Sequence, residues 1–151
     1  MNLTRRLSRI VVGIGLCLAA LAPALAREMV SIKGGVVNWR ASPNTRSDVL
    51  WELERGYPLQ VLKRQGRWLL VRDFENDRGW VYRSMTSTTP HHVVTAKSVN
   101  VRQGPGKEYR VVGQAHRYEV LRTREKKAGW VRVEGAGGLR GWIARHFLWG
   151  W

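Results

Sequence analysis

One short tryptophan-centred context occurs twice in this chain. Trp68-Leu69-Leu70-Val71 followed by Arg78-Gly79-Trp80-Val81 returns as Trp130-Val131-Arg132-Val133 followed by Arg140-Gly141-Trp142-Ile143, each position 62 residues after its partner. The same offset pairs Val37, Asn38, Arg40 and Pro43 with Val99, Asn100, Arg102 and Pro105, and Val49 with Val111. A fixed period of this length is the signature of a duplicated structural unit. The chain must therefore build one small fold twice, and whatever it does it is expected to do with two copies of one surface.

Val, Leu, Trp and Tyr fall in short runs separated by Gly, Pro, Asn and Asp, and no stretch after residue 26 keeps a helical period. The pattern predicts an all-β fold. Strands are expected near 36–40, 49–53, 59–63, 68–73 and 78–83, and again near 98–102, 111–115, 119–123, 130–133 and 140–145. Five short strands in about 60 residues point to a small, bent β-barrel in each unit. The expected division is a signal peptide at 1–26, one small β-barrel at 27–84, a linker at 85–92 and a second small β-barrel at 93–151. Ser84 to Pro90 is polar and β-branched and reads as an extended connection. The basic run Arg122 to Lys127 reads as an exposed loop.

Arg5, Arg6 and Arg9 precede an apolar run from Ile10 to Leu21 that ends in Ala24-Leu25-Ala26, the pattern of a cleaved secretory signal. The run is short for a membrane span, which needs about 20 apolar residues. Export to the periplasm or the exterior is expected, with no stable membrane insertion after cleavage. The only cysteine, Cys17, lies inside this run, so the remaining chain holds no thiol for a disulfide, a nucleophile or a metal. Without Arg5, Arg6 and Arg9 there are 23 basic against 11 acidic residues. Such an excess attracts polyanions or serves solubility. Export argues against nucleic acid and leaves envelope carboxylates, acidic glycans and phosphates.

Side chains alternate across a strand, so Trp130 shares a face with Arg132 while Val131 and Val133 share the other. An unpaired arginine is rarely buried. Trp130 and, by the repeat, Trp68 are therefore expected outside, and the same argument places Trp142 beside Arg140 and Trp80 beside Arg78. Outward aromatics flanked by arginine suit stacking on sugar rings or gripping an extended peptide. The competing reading is that they cap the core. Asn38 and Asn100 are read as turn-forming residues, as is the Gly104-Pro105-Gly106 bend.

These residues resemble the bacterial-type SH3 domain, whose units open on Val-Asn-Val-Arg-x-Gly-Pro-Gly, carry Trp-x-x-Val in the middle and end near Gly-Trp-Val or Gly-Trp-Ile. Val99 to Gly106 follows the opening closely, and Val37 to Asn44 follows it loosely. The resemblance covers residues 36–147 and implies exported targeting modules, often attached to cell-wall hydrolases. In the intracellular SH3 relatives a tryptophan matching Trp68 and Trp130 lines a groove for proline-rich peptides. Here Tyr82 and Ala144 replace the proline that follows the late motif, and the acidic, tyrosine-rich first loop is missing. The fold's first loop binds ligands in relatives, which singles out Arg46, Lys107, Tyr109 and Arg110. The candidate ligand-binding set is thus Trp68, Trp80, Arg46, Trp130, Trp142, Lys107, Tyr109 and Arg110.

Two functions compete on these grounds. One is a non-catalytic module binding peptidoglycan glycan or stem peptide; the other is an adaptor docking another envelope protein through the apolar end, Phe147 to Trp151. Catalysis is not expected, because the four histidines form no constellation with a nucleophile in the sequence. His91 and His92, adjacent in an extended segment, would point apart, so no metal site is expected there. No cofactor is called for, and a monomer is expected.

Overall fold

In a computed structural model the described residues are 26–151. The expected signal peptide lies outside them apart from its last residue, Ala26. The described residues form fourteen strands in two seven-stranded antiparallel sheets. The first holds β1 (Met29–Ile32), β2 (Val37–Arg40), β3 (Val49–Leu53), β4 (Pro58–Gln65), β5 (Trp68–Arg72), β6 (Arg78–Tyr82) and β7 (Thr86–Ser87). The second holds β8 (His91–Val94), β9 (Ser98–Arg102), β10 (Val111–His116), β11 (Val120–Lys127), β12 (Trp130–Glu134), β13 (Arg140–Ala144) and β14 (Leu148–Gly150). Strand order is β3-β2-β6-β5-β4-β1-β7 in one and β10-β9-β13-β12-β11-β8-β14 in the other. The second order is the first advanced by one unit, so the duplication read from the sequence is a duplication of topology.

All ten expected strands are present, and each sheet adds two more. β1 and β8 lie against β4 and β11, and the short β7 and β14 pair on their other side. The segment expected as a linker is thereby mostly consumed: Thr86 and Ser87 belong to the first sheet, and His91 and His92 to the second. Arg122 to Lys127 is likewise strand, not loop; its hairpin turns at Ala128 and Gly129, both at positive φ, the geometry a two-residue hairpin turn demands.

Alternation explains the cores. In β5 and β12 the inward residues Leu69, Val71, Val131 and Val133 are buried, while Trp68 and Trp130 are half-exposed on the other face. The first core contains Trp39 and Leu53 where the second has Val101 and Ala115. Trp39 is 1 % exposed and its indole N–H has no acceptor. Gly79 makes room for it: a Cβ there would lie 2.5 Å from Trp39 Nε1 and 2.9 Å from the Arg40 carbonyl. At Gly141 a Cβ would meet the Arg102 carbonyl at 2.6 Å and Val101 Cγ1 at 2.7 Å. This close approach is why glycine precedes Trp80 and Trp142 in both units.

The barrels are not beads on a flexible string. Arg117 ion-pairs with Glu75 at 3.0 Å, the Tyr118 hydroxyl donates to the same carboxylate at 3.1 Å, and the Phe74 and Tyr118 rings lie 5.7 Å apart. Gly56 and Tyr118 occupy the same place in their units, both at positive φ, and both turns face the junction. A Cβ on Gly56 would press on His91 at 2.9 Å and Val120 at 3.1 Å. The three residues between β7 and β8 are pinned too: the buried Ser31 hydroxyl donates to the Thr89 carbonyl (2.9 Å) and lies 3.0 Å from the Ser87 hydroxyl, while the Thr123 N–H donates to the Pro90 carbonyl.

The apolar end does not project. Leu148–Gly150 pairs with β8, and Trp149 and Trp151 are half-buried. Gly150 has φ 150° and packs so closely on the His91 carbonyl that a side chain would not fit.

Candidate functional site

Each barrel carries a groove at the same place, among the other cavities of the described residues. In the first, Trp68 at the start of β5 faces Tyr82 at the end of β6, ring centroids 5.2 Å apart at 83°. Asn38 and Arg40 from β2, Thr45 from the following loop and Met85 from the single 3-10 turn after β6 complete a groove of about 390 Å³. In the second, Trp130, Asn100, Arg102, Lys107, Ala144 and Phe147 take those positions in a groove of about 430 Å³. Val36 and Val37 at the first rim correspond to Ser98 and Val99, so every residue lining the first groove has its 62-residue counterpart lining the second.

Local folding fixes both grooves in the same way. Arg40 Nη1 donates to the Ser47 carbonyl at 2.7 Å, and Arg102 Nη1 donates to the Tyr109 carbonyl at 2.8 Å, again 62 residues apart. Each arginine thus spans its loop from the base and holds it beside the tryptophan. Part of each guanidinium's capacity, five donors in all, is left for a ligand.

The chemistry of the two grooves differs. Thr45 becomes Lys107, Tyr82 becomes Ala144, and Gln114 and His146 join the second lining, His146 with its ring 3.9 Å from Phe147. No carboxylate lines either groove among the described residues. The first is therefore an aromatic slot with one cation, and the second is wider on the Ala144 side and holds two cations and an imidazole.

The residues expected from sequence to bind ligand divide among these surfaces. Trp68, Trp130 and Lys107 lie in the grooves. Arg46 is exposed on the first loop, its backbone N–H bonded to Asn44 Oδ1, and does not line the groove. Tyr109 lies over Gly104, whose missing side chain makes room for the ring, and Arg110 Nε donates to Gln103 Oε1 at 3.0 Å. Trp80 is half-buried two register pairs farther along, opposite Leu70, and lines neither groove.

Trp142 corrects the expectation of an outward aromatic surface, for it is only 8 % exposed. Its register partner Arg132 covers it, the guanidinium carbon 6.0 Å from the ring centroid. Arg132 pairs with Glu125 at 3.2 Å, and Glu134 pairs with Arg124 and Arg140 at 2.5 and 3.5 Å. The hydrogen bond from Arg124 holds the Glu134 carboxyl below its ordinary range. What remains exposed of the tryptophan lines, with these charged side chains, a separate pocket of about 500 Å³.

Sequence reasoning missed Arg40, Arg102, Tyr82, Met85 and Phe147 as groove residues and read Asn38 and Asn100 as turn-formers. Asn38 and Asn100 instead lie within β2 and β9 with exposed side chains at the groove wall. Their position between two inward residues in Val37-Asn38-Trp39 and Val99-Asn100-Val101 was the available signal.

Fold and site together define a class: paired small β-barrels, each presenting one arginine-braced aromatic groove. The chain belongs to the bacterial SH3 domain family, with separate family models so described matching residues 33–88 and 97–148. Among curated proteins it is similar to the candidate N-acetylmuramoyl-L-alanine amidase YrvJ of Bacillus subtilis (strain 168), 23 % identical over 123 residues. That match takes in 74 % of this chain and 24 % of the amidase, so the chain spans about a quarter of that relative's length. Among solved structures, NlpC2 from Trichomonas vaginalis matches at TM-score 0.38 and 12 % identity, over 82 % of this chain and 48 % of that one. NlpC1 from the same organism matches at TM-score 0.38 and 14 % identity, over 90 % and 50 %.

Proposed function

We propose that the protein is an exported, non-catalytic binding module that holds a cell-envelope polymer, peptidoglycan glycan or stem peptide, in its two repeated grooves. The observation that carries this reading is the recurrence of the same groove positions, with tryptophan, asparagine and arginine kept in both. These groups do complementary work. The indole stacks on a sugar or peptide face, the amide pairs with polar edges, and the guanidinium pairs with a carboxylate. An N-acetylmuramoyl-L-alanine amidase, by its name, works where an aminosugar meets a peptide, and a ligand of that kind offers all three features. The family membership and the similarity to that protein support an envelope location. A periplasmic or secreted chain of this kind needs no cofactor to act.

The test is a chemical-shift titration of residues 27–151 with soluble peptidoglycan fragments, alongside retention on purified wall. Shifts clustered at Trp68, Asn38, Trp130, Asn100 and Lys107, with retention lost in a Trp68→Ala, Trp130→Ala variant, are the expected result. A flat titration, or retention unchanged in that folded variant, overturns the reading.

A further inference from the structure

The junction between the barrels forms a cleft of about 420 Å³ that neither groove shares. Its lining converges from both units: Lys33 and Arg55 from the first, His91 and Arg122 from the second, with Ser87 and Thr89 of the pinned connection between them. Arg122 and His91 are register partners on β11 and β8. None of Lys33, Arg55 and Arg122 takes part in an ion pair among the described residues. Glu134, the other register partner of Arg122, is already held by Arg124 and Arg140, and Glu54, beside Arg55 in sequence, lines a different groove. Three exposed cations lining one concave place repel one another, and the field they focus is relieved by a counter-ion.

We propose that this inter-barrel cleft is a second binding site, for a phosphate-type oxyanion. Two lines of chemistry select that class. Three full positive charges favour a multiply charged anion over a single carboxylate, and the hydroxyl of Thr89 adds a neutral donor of the kind that binds phosphoryl oxygens, the Ser87 hydroxyl being engaged with Ser31. The cleft is also large enough for a phosphoryl group bearing a sugar-sized substituent. Burial pushes the His91 imidazole below its ordinary value and the fields of Arg122 and Arg55 add to this, against the Thr89 carbonyl bonded to its ring at 2.9 Å. A bound anion reverses that field. Since both barrels supply cations, the ligand also clamps one unit to the other.

The experiment is an NMR titration of residues 27–151 at low salt with inorganic phosphate and pyrophosphate, acetate serving as the monovalent comparison. Saturable shifts at Ser87, Thr89 and His91 with Kd below about 10 mM are expected, pyrophosphate binding tighter than phosphate, with the His91 pKa rising on saturation. Arg55→Gln combined with Arg122→Gln weakens binding by about tenfold or more, whereas Arg78→Gln, outside the cleft lining, leaves it unchanged. Lys33→Gln alone provides the same test if the double variant does not fold. Unsaturating shifts, equal binding of acetate, or binding unaltered in the folded cleft variants overturns the proposal. Co-sedimentation with phosphatidylglycerol vesicles resolves the source: capture lost in the cleft variants assigns a lipid headgroup, and phosphate saturation without capture assigns a soluble or polymer-borne phosphate. Failure here leaves the repeated grooves untouched, because their test reads different residues.

Discussion

The groove of the first barrel and the groove of the second share a skeleton and differ in polarity. Tryptophan, asparagine and the loop-bracing arginine are kept at the same offset, while Thr45 gives way to Lys107, Tyr82 to Ala144 and Ser84 to His146. The retained residues are those that shape the groove. The changed ones alter its charge and width, so on the proposed reading the second groove would suit a more anionic and bulkier ligand. Duplication here gives two related grooves and not one groove twice.

The comparison is broken most violently at its scaffold. Gly141→Ala and Gly79→Ala each force a Cβ into the neighbouring strand, and each should cost its own barrel about 3 kcal/mol, read as a lowered denaturation midpoint and lost dispersion in the spectrum of that unit. An effect confined to one barrel would show that the scaffold is not shared.

A similar magnitude separates the barrels in acid. His92 is 1 % exposed and hydrogen-bonded to Thr123 at 2.6 Å, where the first barrel has Val30. Burial pushes its pKa down from 6.5 to about 4. The unfolded chain therefore takes up the proton first. Stability from this group is intact above pH 6.5 and falls as the pH drops toward 4, by about 3 kcal/mol. His92→Val should remove that slope from the second barrel, and the difference between the two urea-midpoint profiles measures it. Identical profiles would refute the assignment.

Ligand contact comes next. Trp130→Ala and Trp68→Ala should each weaken peptidoglycan-fragment binding to their own groove by about 1–2 kcal/mol, with the loss at Trp130 larger for fragments bearing free carboxylates. The smallest change is the most informative about polarity. Lys107→Thr should cost a few-fold in affinity, about 0.5–1 kcal/mol, and flatten the salt dependence. Thr45→Lys should confer that dependence on the first groove.

Much of this was readable in advance where a strand's own alternation decides the outcome. Val131 and Val133 in, Trp130 out, follows from one strand, and the repeat transfers it to Trp68. Trp142 could not be read in this way, because what buries it is Arg132 on the neighbouring strand, and cross-strand register is invisible in one sequence. β1 escaped notice since all four of its residues are buried and show no alternation. β8 was hidden because His91 and His92 made a buried strand look like a polar link. The junction was hidden more deeply still: Phe74, Glu75, Arg117 and Tyr118 are not related by the repeat, so its symmetry carried no hint of their contact.

The bracing of residues 88–90 by Ser31 and Thr123 has a consequence for any extended polymer. With a slack tether, the second engagement would depend on how often a wandering domain found a site, and almost any spacing would serve. A stiff joint instead makes the pair of barrels a gauge of fixed length. If the grooves hold an envelope polymer as proposed, strands whose attachment points repeat at that interval would engage both ends at once, and strands with another period would be gripped by one end only and let go sooner.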